Sequence, residues 1–211
     1  MSPQIRHNGA IRYDLTILAS WIETGTRVLG LGCGEGDLLY HLKTVKKVRC
    51  TGIEIDEAKA SRCIERGLTV LKGDINEEIR DYPDNAFDYV ILSQTLQQIY
   101  EPAQLLRGIL RIGKKGVVSF PNFSHWSIRL QLMLKGYAPI TRQLPYEWHN
   151  TPNIRVITLK DFRKFAKDNG FRILKEVAIN THNRDKSGSI IRHLPNLRAT
   201  YGIFLIGKDG S

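Results

Sequence analysis

The chain has 211 residues, 42% of them apolar and 25% charged, proportions that exclude a disordered or fibrous polypeptide and suit one large domain able to bury its core without disulfides or metals. Net charge is +10, unevenly spread: residues 1–100 hold 12 Lys and Arg against 14 Asp and Glu, residues 101–211 hold 19 against 7. The second half therefore has either an acidic partner or a solvated basic face, and no block of consecutive basic residues decides between them.

An opening helix is predicted over residues 14–23, with Leu15, Leu18 and Ile22 on one face. A first strand over 27–31 runs into a glycine loop, and a helix follows over 37–43. The second strand, 48–55, leads to Asp56, a good N-cap for a helix that turns Ala60, Cys63 and Ile64 inward and closes at Gly67. A short third strand spans 69–71, and the turn at Tyr82-Pro83-Asp84-Asn85 precedes a fourth over 87–92. Pro102 opens the next helix, which carries Leu105, Leu106, Ile109 and Leu110 and stops at Gly113. The fifth strand is 116–120.

Residues 121–157 then turn aromatic and proline-punctuated, with a short helix over 126–134. That is too long for a plain connection, so it reads as an inserted cap within a single domain of residues 1–211. Thr158 and Asp161 form a capping-box-like start to a helix lined by Leu159, Phe162, Phe165 and Ala166 and ended by Gly170. Strands six (171–179) and seven (200–206) are joined by a long polar, basic loop. Strands alternating with helices predict a doubly wound α/β fold with seven mostly parallel strands. Cys33, Cys50 and Cys63 form no CxxC pair and read as reduced thiols of a cytoplasmic protein. Residues 1–7 hold no apolar secretory stretch, and no apolar run reaches membrane-spanning length.

A glycine turn between strand and helix lets a ligand approach the backbone and aims free N–H groups at it. Val28-Leu29-Gly30-Leu31-Gly32-Cys33-Gly34-Glu35-Gly36 fails the dinucleotide fingerprint in every register, and no Gly-Lys-Ser/Thr makes it a phosphate loop. What remains, Gly32, Gly34 and Gly36 at spacing two, resembles motif I of the class I S-adenosylmethionine (SAM) methyltransferases, a Rossmann-like fold. Glu54 ends the second strand, where a carboxylate can accept both hydroxyls of a ribose; a solvent-facing acid is the plainer alternative. The resemblance implies a SAM or S-adenosylhomocysteine (SAH) pocket built from Gly32, Cys33, Gly34 and Gly36. Asp74 would accept the adenine amino group, Ile55 and Ile75 would wall the ring, and Ser93 would lie beside the methionine part. Asp88 reads as a turn and strand-start residue. One departure stands out: Gly30 occupies the place of the family's usual acid, which implies weakened cofactor binding, and Gly30→Asp is expected to tighten it without harm to the fold.

A narrower resemblance rests on Ile91-Leu92-Ser93-Gln94-Thr95-Leu96-Gln97, Ser119-Phe120-Pro121-Asn122-Phe123, His125-Trp126, Arg129-Leu130-Gln131-Leu132, Leu144-Pro145-Tyr146-Glu147-Trp148 and Thr151-Pro152-Asn153-Ile154. These are similar to the MetW family of bacterial methionine-biosynthesis proteins. The resemblance implies a protein that supports homoserine O-acyltransferase, with the basic, aromatic insert as the contact surface; an active methyltransferase on an unidentified small molecule is the alternative. No catalytic residue is assigned. His125, His149, Tyr146 and Glu147 are the insert's candidate acids and bases, against structural roles for each. The histidines and cysteines show no metal-ligand spacing. A nucleic-acid partner rests only on the basic half, and a membrane role on nothing.

Overall fold

The structure, a computed structural model, describes residues 11–142, 144–182 and 185–208; the opening residues 1–7 lie outside this range. In chain order the first half contains α1 (Tyr13–Trp21), β1 (Arg27–Leu31), α2 (Asp37–Lys46), β2 (Arg49–Glu54), α3 (Glu57–Glu65), β3 (Thr69–Lys72), the one-turn α4 (Ile75–Glu78) and β4 (Phe87–Ser93). There follow α5 (Pro102–Ile112), β5 (Gly113–Pro121), α6 (Trp126–Lys135), α7 (Leu159–Asp168), β6 (Phe171–His182), β7 (Ser187–Ile190), the short α8 (Pro195–Arg198) and β8 (Tyr201–Lys208).

The strands form one sheet in the order β3-β2-β1-β4-β5-β8-β6-β7. The first five positions are parallel, and β8 pairs antiparallel with both β5 and β6. Alternate residues of the central strands feed two cores. Leu29, Leu31, Val90 and Leu92 join α5 and α7 on one face, while Val28, Tyr89 and Ile91 join α1 and α2 on the other. Burial on both faces is what makes parallel strands read as continuous apolar runs.

The punctuation residues act as their chemistry requires. Asp56 caps α3 by accepting the Lys59 N–H at 3.2 Å, and Thr158 with Asp161 makes a complete capping box on α7. Gly67 and Gly170 take left-handed φ values of 74° and 70°, which a side chain resists.

Two expectations are corrected. The sheet has eight strands: within what reads as a polar loop, Ser187–Ile190 pairs antiparallel with β6. Ser-Gly-Ser-Ile has little strand propensity of its own, and pairing at a sheet edge supplies what propensity lacks. Gly188 permits it, since a Cβ there would stand 2.3 Å from Tyr13 Cδ1. Ile64 faces outward, 58% exposed, although Ala60 and Cys63 are buried. Helix α3 lies mainly over β2 and the edge strand β3, so its buried stripe is narrower than a full helical face. No helix among the described residues is long and apolar enough to cross a membrane.

Candidate functional site

Parallel strands bring their C-terminal ends to one edge of the sheet, and there a cavity of about 720 Å³ opens. The glycine loop after β1, the ends of β2 and β3 and the segment after β4 line it. Of the residues singled out in the sequence, Gly32, Cys33, Gly34, Glu54, Ile55, Asp74, Ile75 and Ser93 all lie on this cavity. Gly36 stands off it. A Cβ there would come within 2.5 Å of Leu68 Cδ1 and 2.8 Å of Cys63 Sγ, so Gly36 lets α2 start against α3.

Glu54 is 6% exposed and holds the loop in shape. Its Oε2 accepts the Gly34 N–H at 2.7 Å and its Oε1 accepts the Asp56 N–H at 3.0 Å. Each oxygen keeps a second lone pair, so the carboxylate can still take a ligand hydroxyl. Asp74 caps α4 through Oδ1, accepting from Asn76 N at 2.7 Å and Nδ2 at 2.9 Å, which leaves Oδ2 to a ligand. Ile75 is buried and Ile55 exposed, giving the space between them one fixed and one open apolar wall. Ser93 Oγ lies 3.1 Å from Ser119 Oγ.

Gly30 also lines the cavity, and β1 pairs it with Gly52 of β2. An added Cβ would sit 3.1 Å from Leu39 Cδ2 at Gly30, and 2.7 Å from Cys33 Sγ and 3.0 Å from Leu39 Cδ1 at Gly52. The two glycines form a floor, and Leu39 of α2 lies in it. A side chain on the first strand is therefore replaced by one delivered from the following helix. Burial pushes the Cys33 thiol well above the usual thiol range and raises that of Cys63, and Cys63 Sγ donates to the Gly34 carbonyl at 3.2 Å. These thiols pack the loop from behind.

Of the insert's candidate acids and bases, only Tyr146 reaches the cavity. His125 caps α6, its Nδ1 accepting from the Ser127 N–H at 3.3 Å, and burial holds its pKa below the usual imidazole value. His149 is exposed beside Glu147 at 3.6 Å. Asp88 sits at the opposite end of the sheet, bonded to Arg27 N–H and Lys114 Nζ. No cluster of three or more His, Cys, Asp or Glu suited to a metal occurs among the described residues. The cavity also has walls beyond the expected site residues: Arg12 and Leu15 near α1, Leu39, and Gln98 and Tyr100 after β4, together with Gln94 from the stretch 91–97. Arg12 and Gln94 are linked through Asp14, which both bond, a connection that spacing along the chain does not reveal.

The insert is pinned at its base. Arg155 donates its N–H to Gln97 O at 3.0 Å and its guanidinium to the carbonyls of Ile99 and Tyr100. Arg142 pairs with Asp185 at 2.9 Å and Arg129 binds Ser124. Both arginines thus serve the domain itself, and the face left open is apolar. Helix α6 buries only Ile128. Trp126, Leu130 and Met133 follow at spacings of four and three, a stripe on the opposite side from Ile128, and all three are exposed.

Known proteins resemble this chain in sequence and in fold. A family model described as methionine biosynthesis protein MetW matches residues 12–206. The bifunctional methionine biosynthesis protein MetXA/MetW of Rhodopirellula baltica is 32% identical over 170 residues, 76% of this chain and 27% of that protein. The ubiquinone biosynthesis O-methyltransferase of Methylococcus capsulatus is 26% identical over 69% of this chain and 63% of its own length. The chain thus spans less than two thirds of these curated relatives. Among solved structures, a SAM-dependent methyltransferase of Archaeoglobus fulgidus superposes with a TM-score of 0.67 at 16% identity, over 92% of this chain and 91% of that one. A possible histamine N-methyltransferase of Thermotoga maritima superposes with 0.66 at 18%, over 92% and 87%. Such likeness shows the fold, an α/β domain of the SAM-methyltransferase type. With the match running through nearly the whole chain, the protein belongs to the MetW family of methionine biosynthesis proteins.

Proposed function

We propose that this chain binds SAM or SAH on its glycine loop and works in methionine biosynthesis as the partner of a homoserine O-acyltransferase. The observation that carries the partner is α6, whose apolar stripe faces solvent on a helix already fastened to the domain. Contiguous exposed apolar surface of this kind marks docking sites. The relative that joins MetXA and MetW parts in one polypeptide supports an intimate pairing of the two. Residues 121–157 act as a cap in one domain, with Tyr146 over the cavity and α6 outward. The three free cysteines suit a reducing cytoplasm.

The residues present fit the cofactor. Buried Glu54 is oriented by two backbone N–H groups and takes the ribose hydroxyls; Asp74 Oδ2 takes the adenine amino group between Ile55 and Ile75. Gly32, Cys33 and Gly34 bring backbone close to the sulfur-bearing chain, and Ser93 flanks the methionine part. The Gly34 Cβ position is open space, as a surface meeting a ligand requires. When bound, SAM supplies an electrophilic methyl group on sulfonium. With no acid at position 30, the charge-assisted contact of about 1.5–3 kcal/mol that the family's usual acid makes is absent from β1, and binding is weak unless other residues supply it.

The test is co-purification with homoserine O-acyltransferase and assay of that enzyme with and without this chain. Trp126→Ala and Met133→Ala should each weaken association by roughly 1–4 kcal/mol while SAH binding persists. Undiminished association in both variants overturns the α6 surface. A second reading, methyl transfer to a small molecule, has one feature in its favour: the cavity continues beyond the loop to Gln98, Ile99, Tyr100 and Tyr146. If the α6 variants retain association and Tyr146→Ala abolishes SAH production from SAM, the enzyme reading replaces the first.

A further inference from the structure

With Gly30 on β1 and Leu39 over it, the first strand offers no charge to the amino-acid end of a cofactor. A different set of charged and polar groups lies beside the same loop. Asp14 is 1% exposed, and Arg12 grips it with Nε on Oδ1 at 3.1 Å and Nη2 on Oδ2 at 2.8 Å. Gln94, after β4, donates Nε2 to Asp14 Oδ2 at 2.8 Å. Its backbone is left-handed, φ 54°, and is fixed by its N–H on Ser119 O at 2.8 Å. The adjacent Thr95 packs on the loop, with Oγ1 2.9 Å from a Cβ built on Gly32. Arg12 and Gln94 both line the cavity.

This arrangement costs stability. A carboxylate as buried as Asp14 loses its hydration and depends on Arg12, whose side chain is 43% exposed, and on Gln94 to offset that loss, and a non-glycine residue in the left-handed region is strained. Such costs persist where a ligand needs them. Among the described residues Arg12 Nη1 has no protein acceptor, and Gln94 Oε1 has no donor. One free cationic donor and one free acceptor, on a pair whose net charge is zero, match a ligand end that is itself a neutral zwitterion.

We propose that Arg12 and Gln94, positioned by Asp14, form the subsite for the α-amino-acid end of SAM or SAH: Arg12 donates to the carboxylate and Gln94 Oε1 accepts from the ammonium. This rests on the cofactor reading above and locates the contacts that replace the acid missing at position 30.

The experiment is calorimetry on the full chain with two probes: SAH, and 5′-methylthioadenosine, which keeps the adenosine and sulfur but lacks the amino-acid end. The unmodified protein should bind SAH at least about tenfold more tightly. Arg12→Lys keeps a charge on Asp14 without the planar fork, and Gln94→Gly removes the amide while relieving the left-handed strain, so it folds. Each should weaken SAH about tenfold and leave methylthioadenosine within about twofold. Equal binding of the two probes by the unmodified protein overturns the subsite and leaves the cofactor reading standing. Parallel loss of both probes in the variants reduces the bracket to a structural role. If neither probe binds the unmodified protein, the cofactor reading itself fails, and the subsite with it.

Discussion

Leu39 is the residue on which Gly30 depends, and a double-mutant cycle measures that dependence. A Cβ at Gly30 would lie 3.1 Å from Leu39 Cδ2 and 3.2 Å from Cδ1, so Leu39, 2% exposed at the cavity edge, must give by a few tenths of an ångström. Overpacking of this kind costs about 1–3 kcal/mol, against about 0.5–1 kcal/mol gained by replacing a strand glycine. Gly30→Ala should therefore destabilise by roughly 0.5–2 kcal/mol. Leu39→Ala removes the side chain from the floor of Gly30 and Gly52 and should cost about 2–5 kcal/mol. In the double variant the clash is gone and the new methyl occupies vacated space. Its loss should fall short of the sum of the singles by about 1–3 kcal/mol. Urea denaturation with an unchanged m-value reads all four corners of the cycle. Additivity within about 0.5 kcal/mol would refute the packing argument. The same contact bears on Gly30→Asp: its Cβ meets Leu39, so Leu39 must shift by a few tenths of an ångström before any cofactor contact forms.

Glu54→Ala leaves the half-buried N–H groups of Gly34 and Asp56 without their carboxylate; it should lose about 1–3 kcal/mol of stability and most SAH binding, and full SAH affinity in a folded variant would contradict the ribose role. Asp88 is held below the usual carboxylate pKa by its bond to Lys114 and by the Arg27 N–H. Its contribution is present above the unfolded value of about 4 and is lost as pH falls through the lower folded value. Asp88→Asn should lower the melting temperature at pH 7 and flatten its decline on acidification; parallel curves for both proteins would count against this. Burial raises all three thiol pKa values, Cys50 to about 11. Iodoacetamide at pH 8 should label the native protein slowly and the urea-unfolded chain fast; rapid native labelling at Cys33 would mean the loop opens.

The parallel half of the sheet is readable in the sequence because each of its signals is local. Buried strands make short apolar runs, and Asp56, Gly67, Pro102 and Gly170 mark helix ends through their own backbone chemistry. Once strands alternate with helices, their C-terminal ends must share an edge. Glu54, Asp74 and Ser93 are then neighbours by topology, although they lie far apart in the chain. Strand β7 gives no such signal, because Ser-Gly-Ser-Ile becomes a strand only through its partner on β6.

The remainder of the site depends on contacts between distant residues of unremarkable type. Asp14 and Gln94 are 80 positions apart, and although Gln94 lies in the stretch 91–97, nothing in the spacing pairs it with Asp14. Gly30 illustrates the limit more sharply. Read along the chain it is a missing acid, and the inference is a weakened pocket. In the fold it belongs with Gly52, its register partner, and with Leu39, whose side chain needs both positions bare. A change at any one of the three is constrained by the other two. An acid returned to position 30 alone therefore enters a packing unit built without it. If the amino-acid end of the cofactor is held, the charge has to come from the other side of the loop, where Arg12 and Gln94 stand.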